Sequence, residues 1–213
     1  MILIVKMLGD ASAKKLWDSI IRHQDDLQSV LGKKGKLLYL TKRRGYNEAC
    51  LFVHVKDSGS IIELVVDHLS KIDGVSSLCI AHLFRPRFFP VPKDTYDMKR
   101  FVITAKVSPK YFTDVYKKLL NPNLPEGLKR VYYAFTFHSD DDNLQYSFLA
   151  ENEESAQKYV NDSINTVKGV IIADLHQIER TKAFITYKEW VKYTSEEESI
   201  TAGQYHMIND IVG

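Results

Sequence analysis

Apolar residues change their spacing in the same order twice along the chain. In the first half, strand-like alternation and helix-like spacing succeed one another, and the strand patterns cover residues 2–8, 36–43, 47–56 and 76–85. In the second half the strand patterns cover residues 99–107, 129–138, 143–150 and 170–181. A helical pattern follows the first and the third strand of each half. The order strand, helix, strand, strand, helix, strand is that of a ferredoxin-like unit, with both helices on one face of an antiparallel sheet.

Short landmarks recur between the two halves. Ile72-Asp73-Gly74-Val75 returns ninety-five positions later as Val167-Lys168-Gly169-Val170. The apolar run Leu37–Leu40 is matched at about the same offset by Tyr132–Phe135. An internal period of this kind determines the fold class. We therefore predict an α+β protein formed by tandem duplication of a ferredoxin-like βαββαβ unit.

Three segments follow from this pattern. The first unit is predicted to cover residues 1–90, and the second residues 98–183. Pro86, Pro90 and Pro92 lie between them, and we expect the connector at residues 86–98 to be irregular, because proline cannot continue a regular element. Residues 184–213 form the third segment, a helical pattern to about residue 193 followed by an acidic tail.

The strands are apolar or small on both of their faces. Leu51 and Val53 lie on one face of the third strand, and Cys50 and Phe52 lie on the other. A strand with one face in water would alternate cleanly between apolar and polar residues. We therefore expect the second face of each sheet to be buried against the other half, as a pseudo-dimer of the dimeric α/β-barrel type. Two independent units on a linker are the alternative.

Composition restricts the classes of partner and compartment. The net charge is only +2, so the chain as a whole gives no case for nucleic-acid binding. Cys50 and Cys79 lack metal-site spacing, and we expect buried free thiols, or one disulfide if the two lie on adjacent strands. We expect a cytoplasmic protein without a signal peptide, a membrane span, a metal or another cofactor.

Each half resembles the ligand-binding RAM domain of the Lrp/AsnC family of transcriptional regulators. In that family a strand ends in a Gly-Tyr-Asp-type turn, and a later helix leads through a Gly-Val step into the last strand. The first half has Gly45-Tyr46-Asn47 and the step at Gly74-Val75, and the second half has Asp142 and the step at Gly169-Val170. The family's proline before the Gly-Val step is Asp73 or Lys168 here, and its helix-turn-helix does not precede the first strand.

The resemblance implies a non-enzymatic protein of transcription regulation or small-ligand binding that self-associates into a homo-oligomer. The effector would be a small molecule such as an amino acid, and direct DNA binding by a helix-turn-helix is not expected. Gly45, Tyr46, Asn47 and Asp142 are the candidate ligand-binding positions that it indicates. The alternative for these residues is an ordinary hairpin turn, which glycine and asparagine favour.

A second candidate site lies in the last strand of the second half. Asp174 and His176 are two residues apart and therefore project from one face. We expect His138 and Tyr132 on a neighbouring strand. A carboxylate beside an imidazole can tune a general base, so these residues support an enzyme as the alternative, either monooxygenase-like or haem-associated. A hydrogen-bonded polar patch is the simpler interpretation.

A basic stretch gives a third candidate. Lys42, Arg43 and Arg44 follow one another at the end of a predicted strand, close to aromatic residues. A nucleic-acid accessory factor could use such a surface to follow phosphates. Lysines and arginines that protect a solvated sheet edge are the alternative.

Overall fold

The computed structural model describes residues 1–10, 16–89, 95, 97–120, 124–137, 142–186 and 189. Contacts divide these residues into two compact units. The first unit comprises Met1–Leu83 together with the described residues from Glu179 onward, and the second comprises the described residues of Phe84–Ile178.

The first unit is an antiparallel sheet with helices on one face. Its elements are β1 (Ile2–Gly9), α1 (Leu16–Arg22), α2 (Gln24–Leu31), β2 (Gly35–Arg43), β3 (Glu48–Val55), α3 (Ser58–Ile62) and β4 (Val75–His82). A π-helical turn at Glu63–His68 and a 3₁₀ turn at Leu69–Lys71 extend α3. The strands lie in the order β4-β1-β3-β2.

The second unit repeats this plan with one additional strand. Its elements are β5 (Phe84–Phe88), β6 (Lys99–Val107), α4 (Phe112–Leu120), β7 (Lys129–Phe135), β8 (Leu144–Ala150), α5 (Glu153–Tyr159) and β9 (Val170–Ala183). A 3₁₀ turn at Pro109–Tyr111 precedes α4, and a π-helical turn at Val160–Ile164 extends α5. The strands lie in the order β9-β6-β8-β7-β5. The predicted mixed α+β fold with antiparallel strands is thus observed in each unit, although α1 and α2 stand where one helix was predicted and β5 is additional.

The helices α3 and α5 begin with equivalent N-caps and are followed by equivalent glycine turns. The Asp57 carboxylate accepts a hydrogen bond from Ser60 N at 2.8 Å, and the Asn152 side chain accepts one from Ser155 N at 2.8 Å. Both are N-caps, which satisfy an amide that the first helical turn leaves without a partner. After each helix the chain turns at a glycine with positive φ, Gly74 at 90° and Gly169 at 101°.

The segment predicted to be an irregular connector contains a strand. Phe84–Phe88 forms β5, which pairs antiparallel with β7 and has an irregular register between Phe84 and Arg87. Pro86 is tolerated because an edge strand leaves one row of its amides without a ladder partner. The first unit therefore ends at Leu83 rather than at residue 90, and β5 belongs to the second unit.

The predicted C-terminal helix lies mostly outside the described residues, as does the acidic tail. Thr186 and Glu189 are described and bond reciprocally: Thr186 N donates to Glu189 Oε2 at 2.9 Å, and Glu189 N donates to Thr186 Oγ1 at 3.3 Å. This is a capping box, the device that begins a helix. The longest described helix has nine residues, and none in the described part of the chain is long and apolar enough to cross a membrane.

Each unit has its own core between the sheet and the helices. The first core is aliphatic, and its members include Val5, Leu51, Val53, Ile20 and Leu64. The second core is rich in aromatic rings, including Phe101, Tyr133, Tyr146, Phe148 and Tyr159. The second faces of the sheets are buried at many positions as well, since Ile4, Phe52 and Tyr39 are at most 8% exposed and all seven residues of β8 are buried.

The two cysteines are free thiols separated by a strand. Cys50 and Cys79 both lie opposite Lys6, on the two sides of β1. Two strand spacings, roughly 9.5 Å, separate them, which excludes a disulfide between them. Cys50 is half-buried, and burial followed by the charge of Glu48 raises the pKa of its thiol to about 11. Cys79 is exposed, contrary to the prediction, because β4 is an outer strand.

Gly169 has both a positive φ and a crowded environment. A Cβ at Gly169 would lie 2.3 Å from Tyr111 Cβ, whereas a Cβ at Gly45, where φ is 80°, would meet nothing within 4 Å. We expect Gly169→Ala to lower the free energy of unfolding by about 3 kcal/mol or more, because overlap adds to backbone strain. Gly45→Ala introduces only the backbone strain of a positive φ and should lower the free energy of unfolding by roughly 1–2 kcal/mol. Equal losses in urea unfolding would contradict the importance of the Tyr111 contact.

Four tyrosines form a connected group in the second core. The rings of Tyr116 and Tyr133 are 5.4 Å apart, those of Tyr133 and Tyr146 are 6.4 Å apart, and the Tyr146 and Tyr159 hydroxyls lie within 3.2 Å. Buried Arg87 donates from Nε to the Tyr116 hydroxyl at 3.2 Å. Burial is the largest cause that raises the pKa of Tyr133, Tyr146 and Tyr159 above the ordinary value of a phenol.

These raised pKa values predict a loss of stability at high pH. A phenol in the unfolded chain ionises near pH 10, whereas the folded protein keeps these protons to higher pH. The contribution of these buried, protonated phenols to the free energy of unfolding is therefore complete below about pH 10 and falls as the pH rises above it. Tyr146→Phe should make the fall shallower than in the unaltered chain. Urea unfolding across alkaline pH measures both slopes, and identical slopes would contradict the assignment.

Candidate functional site

Two rows of side chains cross the non-helical face of the second sheet. Residues directly opposite one another in antiparallel strands project from the same face. The first row, from β7 to β9, consists of Tyr132, Ser147, Val102 and His176, and the second of Ala134, Gln145, Thr104 and Asp174. We call these eight residues the polar face.

A hydrogen-bonded chain holds an arginine beside the first row. Ser147 Oγ donates to Phe101 O at 2.9 Å, and Arg100 Nε donates to Ser147 Oγ at 3.1 Å. The Arg100 guanidinium also lies 5.9 Å from the centre of the Tyr132 ring, within cation–π range. Ser147 is fully buried and Arg100 is half-buried, so a buried hydroxyl orients a partly accessible cation.

The inner part of the polar face satisfies its own hydrogen bonds. The Tyr132 hydroxyl donates to Gln145 Oε1 at 2.9 Å, and both side chains are buried. A buried polar group without a partner would cost about 1–3 kcal/mol, so this bond stabilises polar residues where apolar ones would otherwise be expected. The inner part of the face is therefore rigid and closed to water.

Accessibility increases towards β9. Thr104 is buried, His176 is half-buried and Asp174 is exposed. The Nε2 atom of His176 lies 3.5 Å from Thr104 Oγ1, the outer limit of a hydrogen bond. The accessible end thus presents an imidazole and a carboxylate, which can bind a polar ligand and move a proton. Arg100 lies towards the other end of the rows, at Ser147 and Tyr132.

The sequence located this site only in part. Asp174 and His176 do lie on one face, as their spacing indicates. Tyr132 shares that face, but it is not on a strand next to β9, because β6 and β8 lie between β7 and β9. His138 lies outside the described residues. The sequence analysis missed Arg100, Thr104, Gln145 and Ser147, although polar residues on alternate positions of two otherwise apolar strands were an available signal.

The turn at Gly45-Tyr46-Asn47 fastens the first sheet. Gly45 has a φ of 80°, as a tight turn requires, and Tyr46 is half-exposed. The Asn47 side chain donates to Asp10 O, and Gly9 N donates to Asn47 O at 2.7 Å. These bonds attach the β2–β3 turn to the end of β1, which favours the hairpin interpretation over a ligand site.

Asp142 belongs to the second unit, where its neighbour Asn143 has a similar role. Val107 N donates to Asn143 Oδ1 at 2.8 Å, and Asn143 Nδ2 donates to Val107 O at 2.9 Å. Asp142 itself is half-buried in the turn before β8. The structural fastening is therefore made by asparagines in both units, and the ligand role of Asp142 stays a prediction.

In the basic stretch Lys42-Arg43-Arg44, Lys42 and Arg43 form ion pairs. Lys42 Nζ lies 3.0 Å from Glu179 Oε2, and Arg43 Nε lies 2.7 Å from Glu48 Oε1. Glu48 is buried and has a second cation, Lys6 Nζ, at 3.2 Å. A buried carboxylate requires such compensation. Arg43 therefore serves the fold, and Arg44 is exposed.

We also considered cavities and possible metal-binding groups among the described residues as functional sites. A cavity of about 240 Å³ lies on the helical side of the second unit, lined by Glu126, Glu151, Asp162, Lys158 and Tyr159 among others. No group of three or more His, Cys, Asp or Glu side chains in the described part of the chain could hold a metal ion. The polar face is thus the best candidate for a functional site.

No protein-family model matches the chain, and no functionally curated protein matches it in sequence. Solved structures are similar in fold. A Lactobacillus acidophilus NCFM protein provisionally assigned as a monooxygenase has a TM-score of 0.54 and 12% identity, over 85% of this chain and 95% of that one. An anthrone oxidase-like protein has a TM-score of 0.53 and 8% identity, over 85% and 92%. A chlorite dismutase variant from Candidatus Nitrospira defluvii has a TM-score of 0.52 and 14% identity, over 84% and 91%.

These similarities establish the fold alone. The three proteins share the mixed α+β antiparallel architecture of this chain, at identities too low to transfer an activity. None of the three is described as an Lrp/AsnC protein. The predicted fold class is therefore supported at the level of the antiparallel α+β sheet, and the resemblance to RAM domains stays a prediction.

The hydrogen-bonded chain at Ser147 can be tested through stability. Ser147→Ala removes the acceptor of Arg100 and the donor to Phe101 O, and should lower the free energy of unfolding by about 1–3 kcal/mol. Ser76→Ala is the matched control, because Ser76 Oγ donates to Leu8 O at 3.0 Å from an exposed position. It should change stability by less than about 0.5 kcal/mol. Equal effects in thermal unfolding would contradict a buried network.

Proposed function

We propose that this chain is an enzyme that uses molecular oxygen as the electron acceptor to oxidise a small organic molecule bound on the polar face. The observation that supports the proposal is the presence of Arg100, His176 and Asp174 on one sheet face, beside a buried, hydrogen-bonded layer. Such a combination of a fixed cation and a titratable base is typical of sites that bind and activate small polar substrates.

The side chains indicate the chemistry of the ligand. The guanidinium of Arg100 favours a carboxylate, a phenolate or another oxygen-rich group. Val102, between Ser147 and His176, is buried. An acidic or phenolic aromatic molecule matches Arg100, with its anionic oxygen at the guanidinium.

His176 is the candidate base. A neutral imidazole accepts a proton near physiological pH, and its Nε2 is held towards Thr104. Removal of the hydroxyl proton of a phenolic substrate by His176 leaves a phenolate, which is electron-rich and gives up electrons to molecular oxygen more readily. The fold neighbours named for monooxygenase and oxidase chemistry support this class of reaction over other uses of the same base.

The described residues do not fit a haem group. A histidine of the polar face that held the haem iron would need a ring nitrogen available to the metal, whereas Nε2 of His176 lies 3.5 Å from Thr104 Oγ1. The inner residues of the polar face, Tyr132, Gln145 and Ser147, are at most 8% exposed, which leaves no room there for a macrocycle. We therefore derive no step through haem.

A non-enzymatic effector-binding protein is the second candidate. Ser147, Tyr132 and Gln145 are satisfied by bonds within the sheet, which suits recognition without chemistry. In this case an amino acid would place its carboxylate at Arg100. The same site thus serves both hypotheses, and turnover distinguishes them.

We also propose that the two units arose by tandem duplication. The N-caps at Asp57 and Asn152, the π-helical turns that follow them and the turn glycines Gly74 and Gly169 recur at nearly constant spacing. On this proposal the polar face belongs to one copy only, because the equivalent positions of the first sheet include Ile4 and Phe52.

Binding and oxygen uptake test the function together. Phenols, aromatic acids and amino acids would be screened by calorimetry and with an oxygen electrode. Arg100→Met should weaken binding about 10- to 100-fold, because it removes a charge-assisted hydrogen bond. His176→Asn should retain binding and lose most of the oxygen uptake. Arg22→Met and His68→Asn, both in the first unit, are matched controls and should change neither.

The other possible results of these binding and oxygen-uptake experiments would reject parts of the proposal. Binding that depends on Arg100 without any oxygen uptake would reject the enzyme and favour the effector-binding protein. Uptake that survives His176→Asn would reject the proposed base. The absence of any ligand among these classes would reject the polar face as their site.

A further inference from the structure

The outer strand of the first sheet is unusually open to association. β4 lies at the end of the strand order, and no strand among the described residues pairs with its outer side. Its sequence, Val-Ser-Ser-Leu-Cys-Ile-Ala-His, contains no Lys, Arg, Asp, Glu or Pro. Natural proteins usually protect such edges with charges, prolines or bulges, because unpaired amides and carbonyls are a template for another strand.

The outer strand of the second sheet shows the contrast. β5 carries Arg85, Pro86 and Arg87 within five residues, and its register is irregular. In β4, by comparison, Ser76, Ser77 and Cys79 are exposed and Ile80 is 39% exposed. The chain therefore protects one edge and leaves the other neutral and partly apolar.

The hydrogen bonds to β1 show which groups of β4 point outward. Leu83 N donates to Ile2 O at 3.0 Å, which makes these two residues a hydrogen-bonded pair. Such pairs alternate along an antiparallel ladder, so Ala81, Cys79 and Ser77 also direct their amides to β1. Ser76, Leu78, Ile80 and His82 direct theirs outward, where a second strand could accept them.

We infer that β4 pairs antiparallel with β4 of a second copy of this chain, with the twofold axis at Cys79. In this register Leu78 of each copy lies opposite Ile80 of the other, and the outward amides and carbonyls of both residues are satisfied. Cys79 lies opposite its own symmetry mate in a pair that makes no hydrogen bonds, the closest kind of cross-strand pair at about 4.5 Å between Cα atoms.

Self-pairing suits this strand for two reasons. A strand without charges meets no like-charge repulsion when it faces itself, and a twofold interface requires such self-complementarity. The neighbouring register, with Leu78 opposite Leu78, would place Ile80 opposite Ser76. The register centred on Cys79 is therefore preferred, because it matches both apolar residues with apolar partners.

Sedimentation and cross-linking of the full chain test this interface. We expect a dimer across a concentration series. Ile80→Lys should raise the dissociation constant of the dimer about tenfold or more, because the ammonium group would face Leu78 of the other copy. Ile62→Lys is the matched control, since Ile62 is an isoleucine of α3 that is 58% exposed, and it should not affect the dimer. Mild oxidation should link the copies through Cys79, as identified by peptide mass spectrometry.

Several results would overturn the inference. They are a monomer at all concentrations, a dimer that Ile80→Lys leaves intact, equal weakening by Ile62→Lys, or an oxidised dimer without a Cys79–Cys79 bond. The cross-link is measured on the unaltered chain, so it decides the register even if Ile80→Lys fails to fold. Cys79→Ser should abolish the cross-link and retain the dimer.

Discussion

The structure depends on one constraint, which is that the central strands are buried on both faces. All seven residues of β8 are buried, although Gln145 and Ser147 are polar. A polar side chain in this position must find its partners within the protein, since water cannot reach it. The bonds from Ser147 to Phe101 O and from Tyr132 to Gln145 meet this requirement. Because Ser147 also accepts a hydrogen bond from Arg100, the same network orients the Arg100 guanidinium at the Tyr132 ring.

The constraint also explains why the candidate chemistry lies at one side of the sheet. Exposure rises from Tyr132 and Ser147 to His176 and Asp174 as the rows run from β7 to β9. Rigid, satisfied groups form the inner part, and titratable groups lie where solvent and a ligand can reach them. A binding site supported by a closed inner layer needs little reorganisation when the ligand arrives, which favours both specificity and proton transfer.

The sequence was sufficient for the features that depend on local pattern. It predicted the succession of strands and helices and the shared face of Asp174 and His176, because spacing and parity are local properties. It could not predict Arg100 and Ser147 as partners, since their contact depends on which strands become neighbours. It also missed β5, where edge pairing with β7 outweighed the proline, and the exposure of Cys79, which follows from the outer position of β4.

The two units have the same strand order but differ in what their surfaces can do. The first has an aliphatic core, a buried carboxylate held by Lys6 and Arg43, and a neutral outer strand. The second has an aromatic core, a polar face and an outer strand protected by arginines and proline. If the proposed duplication supplied two copies of one scaffold, each copy was free to lose a different feature. The proposed association through the first unit and the proposed ligand chemistry in the second would then place no conflicting demands on the same residues.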